Sequence, residues 1–276
     1  MPSASEVQAP SETAQELFYL SLNSSSQTTV VLLHGLLSCN LEYAEVIPYL
    51  SAYHLLVVDL PAHSGSISVK PFSLSIAADL VAKLIRKHAH SGRAHVVGLS
   101  MGGFTALEVA KLQPDVVESL WVTGAAPFQG WFTWFAERPK LVYGFMNLLT
   151  NWLPRWLYNY AASWRGLHIP TGLIEEQKKN LDSKTVRQVY ASILTMTLEE
   201  VQKISVRTLS VAGGIQDDVD ATRKMGLVLK MKNEKSKAVL VKKAVHAWDL
   251  QHPQLFADGI KAWIEEKQLP AEYEDL

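Results

Sequence analysis

Cysteine, net charge and long apolar runs are all scarce in this chain of 276 residues. The single cysteine, Cys39, has no partner for an intrachain disulfide, which fits a reducing compartment. The 26 basic and 27 acidic side chains leave a net charge of -1, so no general attraction to nucleic acid or to acidic membranes is expected. No stretch reaches the ~18 uninterrupted apolar residues of a transmembrane helix, so no stable membrane insertion is expected. Residues 1–16 are rich in Ser, Pro and acidic side chains and lack the apolar centre of a secretory signal. The segment Glu272–Leu276 matches no receptor-read retention signal. Cytoplasmic residence is the resulting expectation. No internal repeat is visible.

What the chain does have is enough apolar residue to fill a large core: 48% are hydrophobic against 19% charged. Its apolar runs are short and punctuated. Residues 16–23, 28–33, 54–60, 94–99, 117–123, 206–212 and 238–241 read as strands, several apolar throughout, as in strands covered on both faces. Helical spacing occupies 40–51, 73–90, 104–111, 220–232 and 253–266. The alternation predicts an α/β fold, with a mainly parallel central sheet flanked by helices. Residues 127–203 break the pattern, with no convincing strand and five of the eight tryptophans: Trp131, Trp134, Trp152, Trp156 and Trp164. The expected organisation is a disordered segment over 1–15, a core formed by 16–126 and 204–267, a helical insertion over 127–203, and a tail over 268–276.

One stretch carries chemistry. Gly98-Leu99-Ser100-Met101-Gly102 closes a β-branched run and opens a helix-forming segment. A turn this tight from strand to helix tolerates little bulk beside the nucleophile, and it exposes the Ser100 hydroxyl at the strand end. The free N–H of Met101 is then a candidate oxyanion donor, and the N–H of Leu36, in His34-Gly35-Leu36 after another strand, is the second. His34 reads as a loop brace and not as a base. A serine hydroxyl needs a base, and histidine suits that role when a carboxylate orients its ring. His246, leaving the last core strand, is at the correct edge of the sheet; His252, just before Pro253, fits worse. Asp217 is the preferred carboxylate, Asp218 the alternative and Asp220 a distant third.

His88, His90 and His95 lie close in sequence, yet two sit at a polar helix end, so a solvated terminus accounts for them better than a metal. No metal and no cofactor is expected. Trp131, Trp156 and Trp248 are candidates to line a substrate pocket, although packing of the insertion on the core explains most of the tryptophans. An interfacial helix docking on a membrane is the weakest reading, because no lysine-rich flank accompanies these residues.

The chain resembles the α/β-hydrolase fold superfamily over about residues 16–267. The resemblance rests on Leu32-Leu33-His34-Gly35, Asp59-Leu60-Pro61, Gly98-Leu99-Ser100-Met101-Gly102-Gly103, Gly214-Ile215-Gln216-Asp217 and Val245-His246-Ala247-Trp248. The order Ser100, Asp217, His246 is that of the superfamily, and the insertion falls where the family carries its cap. Ala62-His63-Ser64-Gly65 and Val245 depart from the usual loops, which bears on the substrate more than on the reacting groups. The resemblance implies a serine hydrolase of the carboxylesterase or thioesterase type, acting on a small to medium apolar acyl compound through an acyl-enzyme. The same triad in this family also supports C–C cleavage, lyase or cyclisation chemistry, and the scaffold also serves as a ligand receptor. Oligomeric state is not legible.

Overall fold

A computed structural model of the chain describes residues 16–276; the expected disordered segment over 1–15 lies outside the described residues. Among the described residues eight strands form one sheet: β1 (Tyr19–Leu22), β2 (Thr29–Leu33), β3 (His54–Val58), β4 (Ala94–Leu99), β5 (Val117–Thr123), β6 (Thr208–Gly213), β7 (Lys237–Val241) and β8 (Tyr273–Asp275), in the order β1-β3-β2-β4-β5-β6-β7-β8. Every neighbouring pair from β3 to β7 is parallel, whereas β1 and β8 run antiparallel at the two edges. The six parallel strands therefore end at one rim, and the loops leaving that rim carry the candidate chemistry.

Strand alternation divides the core into two layers. Val31 and Leu33 of β2, Leu56 and Val58 of β3, and Leu120 and Val122 of β5 point to the face covered by α1 (Leu74–His88) and α2 (Met101–Leu112). Val30, Leu32, Leu55, Val57 and Trp121 point to the opposite face, where α10 (Pro253–Ile264) supplies Phe256 and Ile260. Both faces are covered, so β2 and β3 are apolar from Val30 to Leu33 and from Leu55 to Val58 and read as continuous runs. α9 (Val219–Lys232) packs against β6 and β7. The helical spacing over 40–51 folds as two short 3₁₀ turns, Asn40–Tyr43 and Ile47–Leu50, with Pro48 inside the second.

Residues 268–276 are not a tail. Pro270 precedes a return of the chain, and Tyr273–Asp275 pairs antiparallel with β7 as an edge strand. Tyr273 anchors it, buried against Trp248, with its hydroxyl donating to the Leu255 carbonyl at 3.0 Å. The outward Glu272, Glu274 and Asp275 hide the strand from a pattern search, because charge on an edge strand discourages further pairing.

Between β5 and β6 the described chain is helical: α3 (Gly130–Ala136), α4 (Pro139–Asn147), α5 (Arg155–Trp164), α6 (Leu173–Asn180), α7 (Ser183–Ile193) and α8 (Leu198–Val201). A π-helical turn, Leu148–Trp152, prolongs α4. Val142, Val186 and the half-buried Phe135, Tyr143 and Met146 pack these helices over Leu36 and Leu37, above the rim of the sheet.

Candidate active site

The turn at Ser100 is dictated by what the backbone must avoid. Ser100 has φ 53° and ψ -118°, a conformation that side-chain-bearing residues rarely adopt, and it caps α2. A Cβ on Gly98 would lie 2.4 Å from the Gly102 carbonyl oxygen, and one on Gly102 would lie 2.0 Å from that of Leu33. Strand and helix approach so closely that only glycine fits at both places. The bend is held by the Ser100 N–H, which donates to the Thr123 carbonyl at 2.8 Å, and by Phe104 N–H donating back to the Ser100 carbonyl at 2.9 Å.

Beside this turn, two backbone N–H groups have no acceptor among the described residues. Met101 begins α2, where the first helical N–H groups have no acceptor within the helix. In the loop after β2 nearly every other donor is taken. Gly35 N–H donates to Glu42 Oε2 at 2.7 Å, Leu37 N–H to His63 Nε2 at 3.2 Å, and Ser38 N–H to the Gly35 carbonyl at 3.2 Å. Among the described residues the N–H of Leu36 has no acceptor. His34 and His63 brace the loop: each donates through Nδ1 to a neighbouring carbonyl and accepts a backbone N–H at Nε2. Burial holds their pKa values down to about 4 and about 3, so both are neutral. The expectation that His34 is a loop brace agrees with these bonds.

His246 follows β7, with its backbone N–H donating to Gln216 Oε1 at 2.8 Å. Its ring nitrogen Nδ1 lies 2.5 Å from Oδ1 of Asp217, whose Oδ2 accepts the Gly213 N–H at 2.7 Å. Gly124 makes room for the ring: a Cβ there would stand 2.5 Å from Cε1 of His246. Burial lowers the pKa of His246, but the charge and hydrogen bond of Asp217, with Glu42 behind, outweigh it and leave the imidazole above 6.5. Asp218 is otherwise engaged, capping α9 by accepting the Ala221 N–H at 2.9 Å, and Asp220 pairs with Arg223. His252 stands at the start of α10.

Ser100, Asp217 and His246 line one cavity of about 490 Å³. The Ser100 hydroxyl is not hydrogen-bonded to the ring in this structure, a contact that in substrate-free sites is often long and tightens on binding. Phe128, Phe132, Phe135, Leu167, Tyr190 and Val245 supply most of the apolar wall. Trp131, Trp156 and Trp248 do not line it. On α3 the inward positions are Phe132 and Phe135, which turns Trp131 outward; Trp156 is exposed on α5. Trp248 is fully buried in the sheet layer, where its indole N–H donates to Thr123 Oγ1 at 3.0 Å. The three histidines near α1 each have a partner elsewhere: His88 with the Tyr19 hydroxyl, His90 with the Ser24 carbonyl, His95 with the Ser119 hydroxyl.

Two buried carboxyls went unforeseen. Glu42 lies under the loop that holds Leu36, close enough that a Cβ on Gly35 would be 3.6 Å from its Oε1 and 3.7 Å from the Ser100 Cβ. Asp249, three residues after His246, is fully buried, and neither of its oxygens has a hydrogen-bond partner among the described residues. Burial raises the Glu42 carboxyl to about 7, and burial together with the charge of Glu42 holds Asp249 well above the carboxylate range. Residues 40–51 show helical spacing of their apolar side chains, and nothing in that spacing singles out an inward acid.

The sequence profile of the alpha/beta hydrolase family matches residues 30–259. An AB hydrolase superfamily protein of Gibberella zeae is 32% identical over 268 residues, spanning 95% of this chain and 88% of that one. A pimeloyl-[acyl-carrier protein] methyl ester esterase of Neisseria meningitidis serogroup B is 28% identical over 259 residues, 86% of this chain and 92% of its own. In fold, a lipase-esterase related protein of Clostridium acetobutylicum superposes with a TM-score of 0.66 at 21% identity, covering 90% of this chain and 99% of that one.

Proposed function

The chain belongs to the alpha/beta hydrolase family, and on that premise we propose that it is a serine hydrolase cleaving an ester or thioester of a small to medium apolar acyl compound. The observation that carries the reading is the Asp217–His246 pair, bonded at 2.5 Å, in the same cavity as a serine held at a strained strand-to-helix turn. Ser100 Oγ attacks the acyl carbonyl as Nε2 of His246 takes its proton. Asp217 fixes the ring with its proton on Nδ1 and stabilises the imidazolium that forms. The N–H groups of Leu36 and Met101 receive the developing oxyanion. His246 then returns the proton to the leaving alcohol or thiol, and water attacks the acyl-enzyme with the same base assisting.

The cavity volume falls within the roughly 300–1,000 Å³ of small-molecule sites, and its phenylalanine-rich wall suits an apolar acyl chain. An ester substrate also accords with the methyl ester esterase relative. The test is labelling with a fluorophosphonate, together with pre-steady-state turnover of p-nitrophenyl esters. Wild type should label and release a burst of p-nitrophenol, and Ser100→Ala should do neither. Labelling that survives in Ser100→Ala removes Ser100 from the role.

A further inference from the structure

The helices above the cavity are apolar on both sides and packed on only one. Val142 of α4 and Ala162 of α5 are buried on the inner side. On the outer side, Leu141, Phe145, Leu148 and Trp152 follow one another at helical spacing along α4 and its π turn, and all are exposed. Trp156, Tyr160 and Trp164 do the same on α5 at intervals of four residues. Trp131 of α3 adds a further ring, stacked on Trp134 at 4.6 Å. The four outermost tryptophans and Tyr160 are each 66–78% exposed. Residues of this size and number rarely face water without a partner.

We infer that this outer face of α3, α4 and α5 docks on the surface of a lipid bilayer carrying anionic headgroups. Three observations favour that partner. The rings are mostly tryptophan and tyrosine, whose amphipathic bodies settle at the headgroup level. They protrude, which suits a deformable partner more than a preformed protein surface. The charge around them is locally positive: between residues 130 and 164 stand Arg138, Lys140 and Arg155 against Glu137 alone, hidden within a chain-wide net charge of -1. The Arg138 guanidinium lies over the Trp134 ring at 4.2 Å and donates to the Trp134 carbonyl at 2.7 Å, while Arg155 also reaches Glu175 at 3.2 Å. The expectation against an interfacial helix looked for lysines, and the cations here are mainly arginines.

The docking is peripheral, since no helix among the described residues is long and apolar enough to cross a membrane. α3 links this face to the cavity: Trp131 and Trp134 lie on its outer side, and Phe132 and Phe135 line the cavity. An acyl compound dissolved in lipid would thus meet the cavity wall without crossing bulk water. That last consequence rests on the proposed hydrolase reading; the docking does not.

The test is co-sedimentation of the full chain with phosphatidylcholine vesicles, with and without phosphatidylserine, read beside its tryptophan emission. Wild type should sediment with the phosphatidylserine vesicles, more than with phosphatidylcholine alone, and its emission should shift to the blue. Combining Trp152→Ser, Trp156→Ser and Trp164→Ser should weaken this at least ~10-fold, with circular dichroism and p-nitrophenyl acetate turnover unchanged. Should that variant misfold, Leu141→Ser with Phe145→Ser replaces it on the neighbouring stripe. Wild type that binds neither vesicle overturns the inference, and so does a correctly folded variant that binds as wild type. Light scattering showing a wild-type dimer that the variant dissolves also overturns it, because the face is then an interface between copies. Vesicle binding in a protein inert toward esters leaves the docking standing and removes the hydrolase reading.

Discussion

Oδ1 of Asp217 faces Nδ1 of His246 at 2.5 Å, while Asp218, the adjacent residue, spends its carboxylate on the first turn of α9. Consecutive aspartates thus have separate tasks. Asp217→Asn should depress ester turnover by roughly three to four powers of ten, since an amide no longer fixes the tautomer or stabilises the imidazolium. Asp218→Asn should leave turnover near wild type, because asparagine caps a helix about as well as aspartate. Steady-state kinetics of the two variants checks this, and the reverse result moves the acid by one residue.

The pH profile follows from the same pair. His246 must be neutral to take the serine proton, and its pKa lies above 6.5. As pH falls through that pKa the base is lost, so kcat/KM for a p-nitrophenyl ester should fall with a midpoint above 6.5. Asp217→Asn removes the charge and the hydrogen bond that raise the pKa and keeps the burial that lowers it. Its residual activity should therefore persist to lower pH than that of wild type. A midpoint that stays fixed in the variant would show that another group titrates.

Glu42 gives a stability prediction of definite sign. The folded chain holds its proton up to about 7, against an ordinary value of 4.5, because burial penalises the carboxylate. Between those values the native state binds more protons than the unfolded chain, so stability falls as pH rises through the window. The loss from Glu42 is on the order of 1–3 kcal/mol. Glu42→Gln keeps an acceptor for the Gly35 N–H and cannot ionise. Its melting temperature should exceed that of wild type at about pH 8 and match it at about pH 5. Equal melting temperatures at both would contradict the buried-acid assignment.

How much of this was legible depends on what local sequence controls. The apolar runs from Val30 to Leu33 and from Leu55 to Val58 are strands because a sheet covered on both faces requires them. The glycines around Ser100 reflect a clash between backbones that is visible in the spacing alone. Asp217 and Asp218 are both reachable from the loop after β6, and only the direction of one side chain separates them. The tryptophans misled for a related reason. Periodicity shows that a helix has an apolar side, but the way the insertion folds over the rim decides whether that side faces inward. β8 was missed because one tyrosine anchors it and its charged neighbours face out. Glu42 and Asp249 were missed because an acid buried without a basic partner leaves no pattern.

The division between inward and outward aromatics on the insertion yields a last test. Phe128 and Tyr190 line the cavity, their rings 6.4 Å apart, and Phe104 meets Phe128 edge-on at 5.5 Å. Replacing either cavity ring with a smaller side chain removes contact with the acyl chain in both ground and transition states. Phe128→Ala and Tyr190→Leu should therefore raise KM for p-nitrophenyl esters of longer acyl chains by about 10-fold, since one lost apolar contact is worth ~1–3 kcal/mol. Short-chain esters, which do not reach these rings, should be affected much less. Trp156→Ala, on the outer side, should leave KM for water-soluble esters unchanged at every chain length. Chain-length series measured on the three variants decide the matter: a KM that responds at Trp156 and not at Phe128 would mean that the substrate runs along the outside of the insertion, and that the 490 Å³ cavity is not its binding place.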